Sequence, residues 1–244
     1  MLSKNEIKFL RQLQQKKYRR ENNMFIVEGT KSIIELLKSN YVIKNIYATS
    51  DWYEKHKHLI DYSVTLVSHK ECEPISSLQT SPEVFALVEM KQSEKIILSD
   101  KILIIDDIKD TGNFGTIIRT ADWFGIKTVI CSEQSVELYN PKTIQATMGS
   151  FTRVNVHYTD LKVFLQTLSD DYVIYGTFME GVALHKVAFA PKTAVIIGNE
   201  SRGISSEIDK FVQEKICISK KNKESVDSLN AAIATAIVCY ELTK

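Results

Sequence analysis

Hydrophobic and polar positions along this chain follow two periods, and the switches between them mark out its elements. Residues 5–15 place Ile7, Leu10 and Leu13 on one side, the spacing of an amphipathic helix. FIVEG (25–29) follows as a short strand with a glycine stop, and KSIIELLK returns to helical spacing. KNIYAT and SVTLVS read as strands separated by the helix-like DWYEKHKHL, and VFALVEM (84–90) closes the block. The polar stretch KQSEK (91–95) has no apolar period, so a boundary is expected within 91–100, dividing a unit at 1–95 from one at 96–244.

KILIID opens the second block and is apolar on both faces, as strands buried in parallel sheets are. KTVICS, RVNVH, YVIYGT, TAVIIG and EKICIS are the later strand candidates. Between them, FGTIIRTADWFG carries Ile117, Ala121 and Phe124 on one stripe and stops at Gly125. NPKTIQATMG offers Asn140 as N-cap and Pro141 at the first helical position. A long apolar helix is expected over 228–242, with Ser228 as its N-cap. Strands alternating with helices predict a layered α/β domain with a parallel sheet, which binds ligands beyond the carboxyl ends of its strands.

Composition narrows the class. The 244 residues are 44% hydrophobic and 25% charged, an ordinary globular balance. No apolar run approaches the ~20 residues that cross a bilayer, and the N-terminal stretch has no signal-like apolar core, so a cytoplasmic protein without membrane contact is expected. Cys72, Cys131, Cys217 and Cys239 are far apart, which speaks for buried reduced thiols rather than a metal site or disulfide framework. Net charge is only +1, so a nucleic-acid binder of this composition needs a local basic patch. Lys16, Lys17, Arg19 and Arg20, around Tyr18, supply one, and read either as an RNA footprint or as a solvated helix face. A second cluster, Lys215, Lys220, Lys221 and Lys223, lies in a polar loop.

Candidate chemistry falls at three strand ends. DIKDTGNFGTIIRTA follows KILIID, GNESRGIS follows TAVII, and KKNKESVDSLNAA follows KICIS. Each passes from a strand through a loop of Gly, Asn or Ser to a helix start, where backbone amides are free to meet a ligand. The sequence has no phosphate-binding P-loop, no dinucleotide fingerprint, no G-x-S-x-G and no His/Asp/Cys cluster of metal-binding type.

These loops resemble the three motifs of the SpoU/TrmH family of RNA ribose 2′-O-methyltransferases, in the SPOUT superfamily. The first is DTGNFGTIIRTA (110–121), the second IGNESRGIS (197–205), the third SLNAAIA (228–234). Met148-Gly149-Ser150 also resembles family sequence, and Ser150 is assigned to RNA on that basis. Arg19-Arg20 followed by Phe25, Val27, Glu28 and Gly29 is similar to the family's ribosomal-protein-like RNA-binding domain. Thr111 stands where the family usually has proline, and Ala231-Ala232 where Val-Ser is more usual.

The resemblance implies a C-terminal parallel-sheet α/β domain with a deep trefoil knot, preceded by a smaller α/β RNA-binding domain. It implies S-adenosylmethionine as cofactor, held at Thr177, Ile197, Gly198, Ile218 and Leu229, with Gly203 turning the chain back and Ser228 and Asn230 fixing the loops. It implies RNA as partner, ribosomal rather than transfer RNA, and a homodimer built through the C-terminal domain. The alternatives are a transfer RNA substrate or a non-catalytic RNA-binding assembly factor. Arg119 becomes the central catalytic residue. A guanidinium is a poor base, so its expected role is to grip a phosphate and stabilise charge on the 2′-oxygen. Asn113 either orients the ribose or phosphate or caps its helix. Glu200 either supports Arg119 or a backbone amide, or pairs with Arg202.

Overall fold

The computed structural model describes residues 2–77, 80–92, 95–221 and 226–244. Residues 93 and 94 of the expected boundary, and Asn222 and Lys223 of the second basic cluster, lie outside these. The first elements are α1 (Lys4–Gln12), α2 (Lys16–Asn22), β1 (Met24–Glu28), α3 (Thr30–Leu37), β2 (Ile43–Ala48), α4 (Ser50–His56), β3 (Val64–Leu66), α5 (His69–Cys72) and β4 (Val84–Glu89). There follow β5 (Lys101–Ile105), α6 (Thr111–Trp123), β6 (Thr128–Ser132), α7 (Pro141–Thr147), β7 (Asn155–Thr159) and α8 (Leu161–Thr167). The last are β8 (Val173–Ala183), β9 (Thr193–Ile197), α9 (Ser206–Asp209), β10 (Glu214–Cys217) and α10 (Ala231–Leu242).

They form two compact units, one of Met1–Glu94 with Glu137–Thr152, the other of Lys95–Val136 with Arg153–Lys244. In the first, β1-β4-β2-β3 make a mixed sheet, with β4 antiparallel to β1 and β2, and β3 parallel to β2. Its core joins Leu10 and Leu13 of the N-terminal region to Ile26, Tyr47 and Phe85 of the sheet. The segment around α7 packs here too: Phe25 of β1 lies 4.5 Å from the ring of Tyr139 and 6.0 Å from that of Phe151. Asn140 caps α7 through Lys142 N, with Pro141 at the first helical position, as the sequence predicts.

Six strands make the second sheet, in the order β10-β8-β9-β5-β6-β7, all parallel. Every residue of β6 and β9 is buried, as is β5 beyond its first residue, the pattern of a sheet covered on both faces. Ile102 and Ile104 of β5 join Phe164 and Leu165 of α8 and Ile208 of α9 in one core. The two-residue period turns Leu103 and Ile105 to the opposite face. Helix α10 packs on α6. Burial raises the thiol of Cys239 to about 12 and that of Cys72 to about 11, so both stay protonated at neutral pH. Among the described residues, no helix is long and apolar enough to cross a membrane.

Two expectations change at this level. Helix α10 begins at Ala231, and its cap is Asn230, whose Oδ1 accepts Ala232 N and Ile233 N. Ser228 therefore lies outside the helix, because Asn230 reaches the second and third amides and satisfies them first. Arg19 is not part of a solvated patch. It is 1% exposed, with Nη1 donating to the carbonyls of Leu13 and Gln14 and Nη2 to Glu137 at 2.5 Å.

Candidate active site

Sheet topology sets where chemistry can happen. From β5 the chain runs through β6 and β7 to one side, while β9, β8 and β10 lie on the other. The carboxyl ends of β5 and β9, paired through Ile105 and Ile197, therefore flank the switch in direction where open α/β sheets bind ligands. The first and second motifs begin at these two ends.

The GNESRG stretch, 198–203, closes on itself. Asn199 N and Gly203 O lie 3.0 Å apart, and Gly203 N and Asn199 O 2.9 Å. Asn199 Oδ1 accepts the amides of Ser201 and Arg202, and its Nδ2 donates to Asp107 O at 2.7 Å. Gly203 turns with φ +68°, a conformation glycine adopts without steric cost. A Cβ on Gly198 would stand 2.3 Å from the backbone of Gly203 and Ile204, so only glycine permits this closure. Below it, Ser205 N donates to Asp106 Oδ2 at 2.7 Å, fastening the loop to the end of β5.

Three motifs meet at one side chain. Asn113, on the first turn of α6, donates from Nδ2 to Glu200 Oε1 at 3.1 Å and accepts at Oδ1 from Asn230 Nδ2 at 2.8 Å. Its backbone amide is capped by Asp110 Oδ1 at 2.7 Å, so capping falls to Asp110 and leaves the Asn113 side chain for the relay. Glu200 supports Asn113 rather than Arg119, and Arg202 pairs with Asp107.

Beside the relay lies a cavity of about 880 Å³. Thr177, Ile197, Gly198, Gly203, Ile218, Ser228 and Leu229 all line it, so the structure brings these seven expected cofactor residues together. Thr177 is held by its hydroxyl, which donates to Ile196 O at 3.0 Å. Its floor includes Ile216, Ala231, Ala234 and Val238, and Glu180 and Asp227 stand among its polar groups. Arg119 is exposed on α6 and makes no hydrogen bond or ion pair among the described residues. In the first unit, Lys16, Lys17 and Arg20 are exposed on α2, but Ser150 is buried like Arg19, so neither of these two presents its side chain to a large ligand. Asp107 and Asn199 have roles in this site that no motif expectation covers. Asn199 left a signal in its position between two glycines, whereas Asp107 left none, because its partner Arg202 is 95 residues away.

A cavity at the carboxyl ends of β9 and β10 and along the middle of β8, lined by the second and third motif loops and with the first motif tied to both through Asn113, defines an α/β enzyme with room for a small cofactor. The chain belongs to the SpoU rRNA methylase family, whose model matches residues 100–240. Residues 4–86 match the MRM3-like substrate binding domain. Membership makes the chain an RNA ribose 2′-O-methyltransferase that uses S-adenosylmethionine. Among curated proteins it is 28% identical, over 98% of its length and 97% of the relative's, to the 23S rRNA (guanosine(2553)-2′-O)-methyltransferase RlmP of Bacillus subtilis. Among solved structures, a protein of Porphyromonas gingivalis assigned to the TrmH family of RNA methyltransferases superposes with a TM-score of 0.87 at 33% identity, covering 99% of this chain and 98% of that one. The AdoMet-bound rRNA methyltransferase of Sinorhizobium meliloti gives 0.86 at 26% identity, covering 99% and 95%.

Proposed function

We propose that this protein methylates a ribose 2′-hydroxyl of ribosomal RNA in the cytoplasm, with residues 4–86 and the exposed Lys16, Lys17 and Arg20 engaging the substrate. The observation that carries the reading is the relay Glu200–Asn113–Asn230, which ties all three motifs together beside the cavity. The cavity fits S-adenosylmethionine. Its volume is within the usual range for small-ligand sites, apolar side chains from three strand ends and α10 suit the adenine, and Glu180 and Asp227 suit the ammonium group. When bound, the cofactor supplies a methyl group on a sulfonium, poised for in-line displacement.

The chain's own residues do the rest. Backbone groups at Ile197, Gly198 and Ile218 would hold the adenine and ribose. Asn113, its amide fixed at both ends, orients the acceptor nucleotide. Arg119 grips the adjacent phosphate and stabilises negative charge as the 2′-oxygen develops it. The exposure of Arg119 and the freedom of its guanidinium support a partner outside its own fold.

The same reading includes a homodimer and a deep trefoil knot in the C-terminal unit. Trp123 of α6 is 84% exposed, and Ile233, Ile237 and Tyr240 line the outward side of the adjoining α10. Such a joined apolar face supports pairing with a second copy. The knot is supported by the return of α10 onto α6 after β10, at the far edge of the sheet, and by the family fold.

The test is methyl transfer from labelled S-adenosylmethionine to unmodified ribosomal RNA and transfer RNA separately. Alkali-resistant label in the ribosomal pool is expected, and label in the transfer RNA pool alone would replace the proposed substrate. Arg119→Ala is expected to abolish transfer while keeping cofactor affinity; full activity in that variant would overturn the role of Arg119.

A further inference from the structure

Asp107, just beyond β5, sits in the left-handed region at φ +64°, which aspartate tolerates better than most residues. Its carboxylate serves two cations. Oδ2 accepts from Arg202 Nη2, and Oδ1 lies 2.5 Å from Lys109 Nζ. The carboxylate side chain is 18% exposed, against 74% for Arg202 and 55% for Lys109. Two cations on one carboxylate leave the cluster with a net positive charge.

Holding the loops together does not require this cluster. The backbone oxygen of Asp107 already accepts Asn199 Nδ2, and Asp106 accepts Ser205 N. Ion pairs this exposed contribute little to stability. The two cations also differ in how they are held. Lys109 Nζ has a second partner, Gln134 O at 2.6 Å, whereas the Arg202 guanidinium has only Asp107 among the described residues. Arg202 is therefore the member that can leave. It lies two residues beyond Glu200, and so in the same closed turn as the support of Asn113.

We propose that Arg202 and Lys109 form a phosphate-binding site for the acceptor strand, with Asp107 holding Arg202 until a phosphodiester replaces it. This rests on the RNA methyltransferase reading above. A guanidinium meets two phosphate oxygens in parallel, and Lys109 remains to neutralise Asp107 so that no bare carboxylate faces the incoming anion. Arg202 stands at the cavity, but its 74% exposure and its pairing with Asp107 beside Lys109, which does not line the cavity, fit a macromolecular anion better than the carboxylate of the cofactor.

The experiment measures binding of the full chain to an unmodified ribosomal RNA transcript across a salt series, with methyl transfer and thermal unfolding alongside. Arg202→Gln is expected to bind about 5- to 20-fold more weakly at low salt, with the slope of log affinity against log salt shallower by about 0.7 to 0.9. Arg202→Lys should keep the slope and lose part of the affinity. Asp107→Asn removes the competing charge and should bind about 2- to 5-fold more tightly, a direction that a purely structural ion pair does not produce. Wild-type affinity and slope in Arg202→Gln, or weaker binding by Asp107→Asn, would overturn the phosphate site alone. A wild-type protein that neither binds RNA nor transfers a methyl group would overturn the RNA reading, and this site with it.

Discussion

Asn230 caps α10 with its Oδ1 while its Nδ2 reaches 2.8 Å to Asn113 Oδ1, so one side chain both starts a helix and completes the motif relay. The two tasks separate by substitution. Asn230→Asp keeps the cap oxygen but loses the donor to Asn113. It is expected to fold with a melting temperature near wild type and to lose about 100-fold in methyl transfer. Asn230→Ala should lose both, with an added cost of about 1 kcal/mol from the uncapped helix. Chemical denaturation and single-turnover transfer, measured together, check the separation.

Gly198 offers a backbone test. A Cβ there meets the Gly203–Ile204 peptide at 2.3 Å, and backbone cannot swing aside as a side chain would. Gly198→Ala is expected to open the 198–203 turn, abolish cofactor binding by calorimetry and leave the first unit folded. Near-normal cofactor affinity would show that the turn tolerates displacement.

Arg19 is a stability residue. It is 1% exposed and paired with Glu137, whose side chain is 12% exposed. Removing Arg19 strips Glu137 of its short, buried partner and leaves it only the exposed Arg20, whose Nε is 4.0 Å away, so Arg19→Ala is expected to cost about 3 kcal/mol in denaturant unfolding. Lys17→Ala, on the exposed face of the same helix, should leave stability unchanged within about 0.5 kcal/mol and weaken RNA binding instead.

Glu71 links stability to pH. Hydrogen bonds from Ser68 N and Oγ, and from Leu2 N at 2.6 Å, lower its carboxyl from 4.5 to about 2. The folded value is below the unfolded one, so the contribution is fully present above pH 4.5 and is lost as pH falls toward 2. Glu71→Gln is expected to lower the melting temperature by about 2–4 °C at pH 7, and the gap to wild type should close over that acid window. A gap that persists at pH 2 would assign the effect to packing.

Much of this molecule can be read in its residues, because local patterns specify local structure. The apolar strands, the cap at Asn140 and the motif loops at strand ends all follow from short-range spacing. Family likeness added the expected cofactor positions, which line one cavity. What escaped was set by distance along the chain. Arg19 reads as part of a basic helix because Glu137, which buries it, is 118 residues away. Ser228 and Asn230 are both good caps, and only the geometry of the first turn selects between them. The pairing of α7 and Phe151 with the first sheet has no signature, since an amphipathic period records that a face is buried and not which sheet buries it.

That pairing bears on how such a chain can be taken apart or recombined. The backbone passes between the two units near residue 95 and again on either side of residues 137–152. A cut at residue 95 would send Tyr139 and Phe151 away with the wrong half and strip them of the aromatic partners they have in Phe25 and Tyr41. Grafting a foreign substrate-binding unit onto this catalytic unit would demand three compatible joints instead of one. Changes in RNA preference are thus expected to accumulate by substitution within each unit, not by exchange of whole modules.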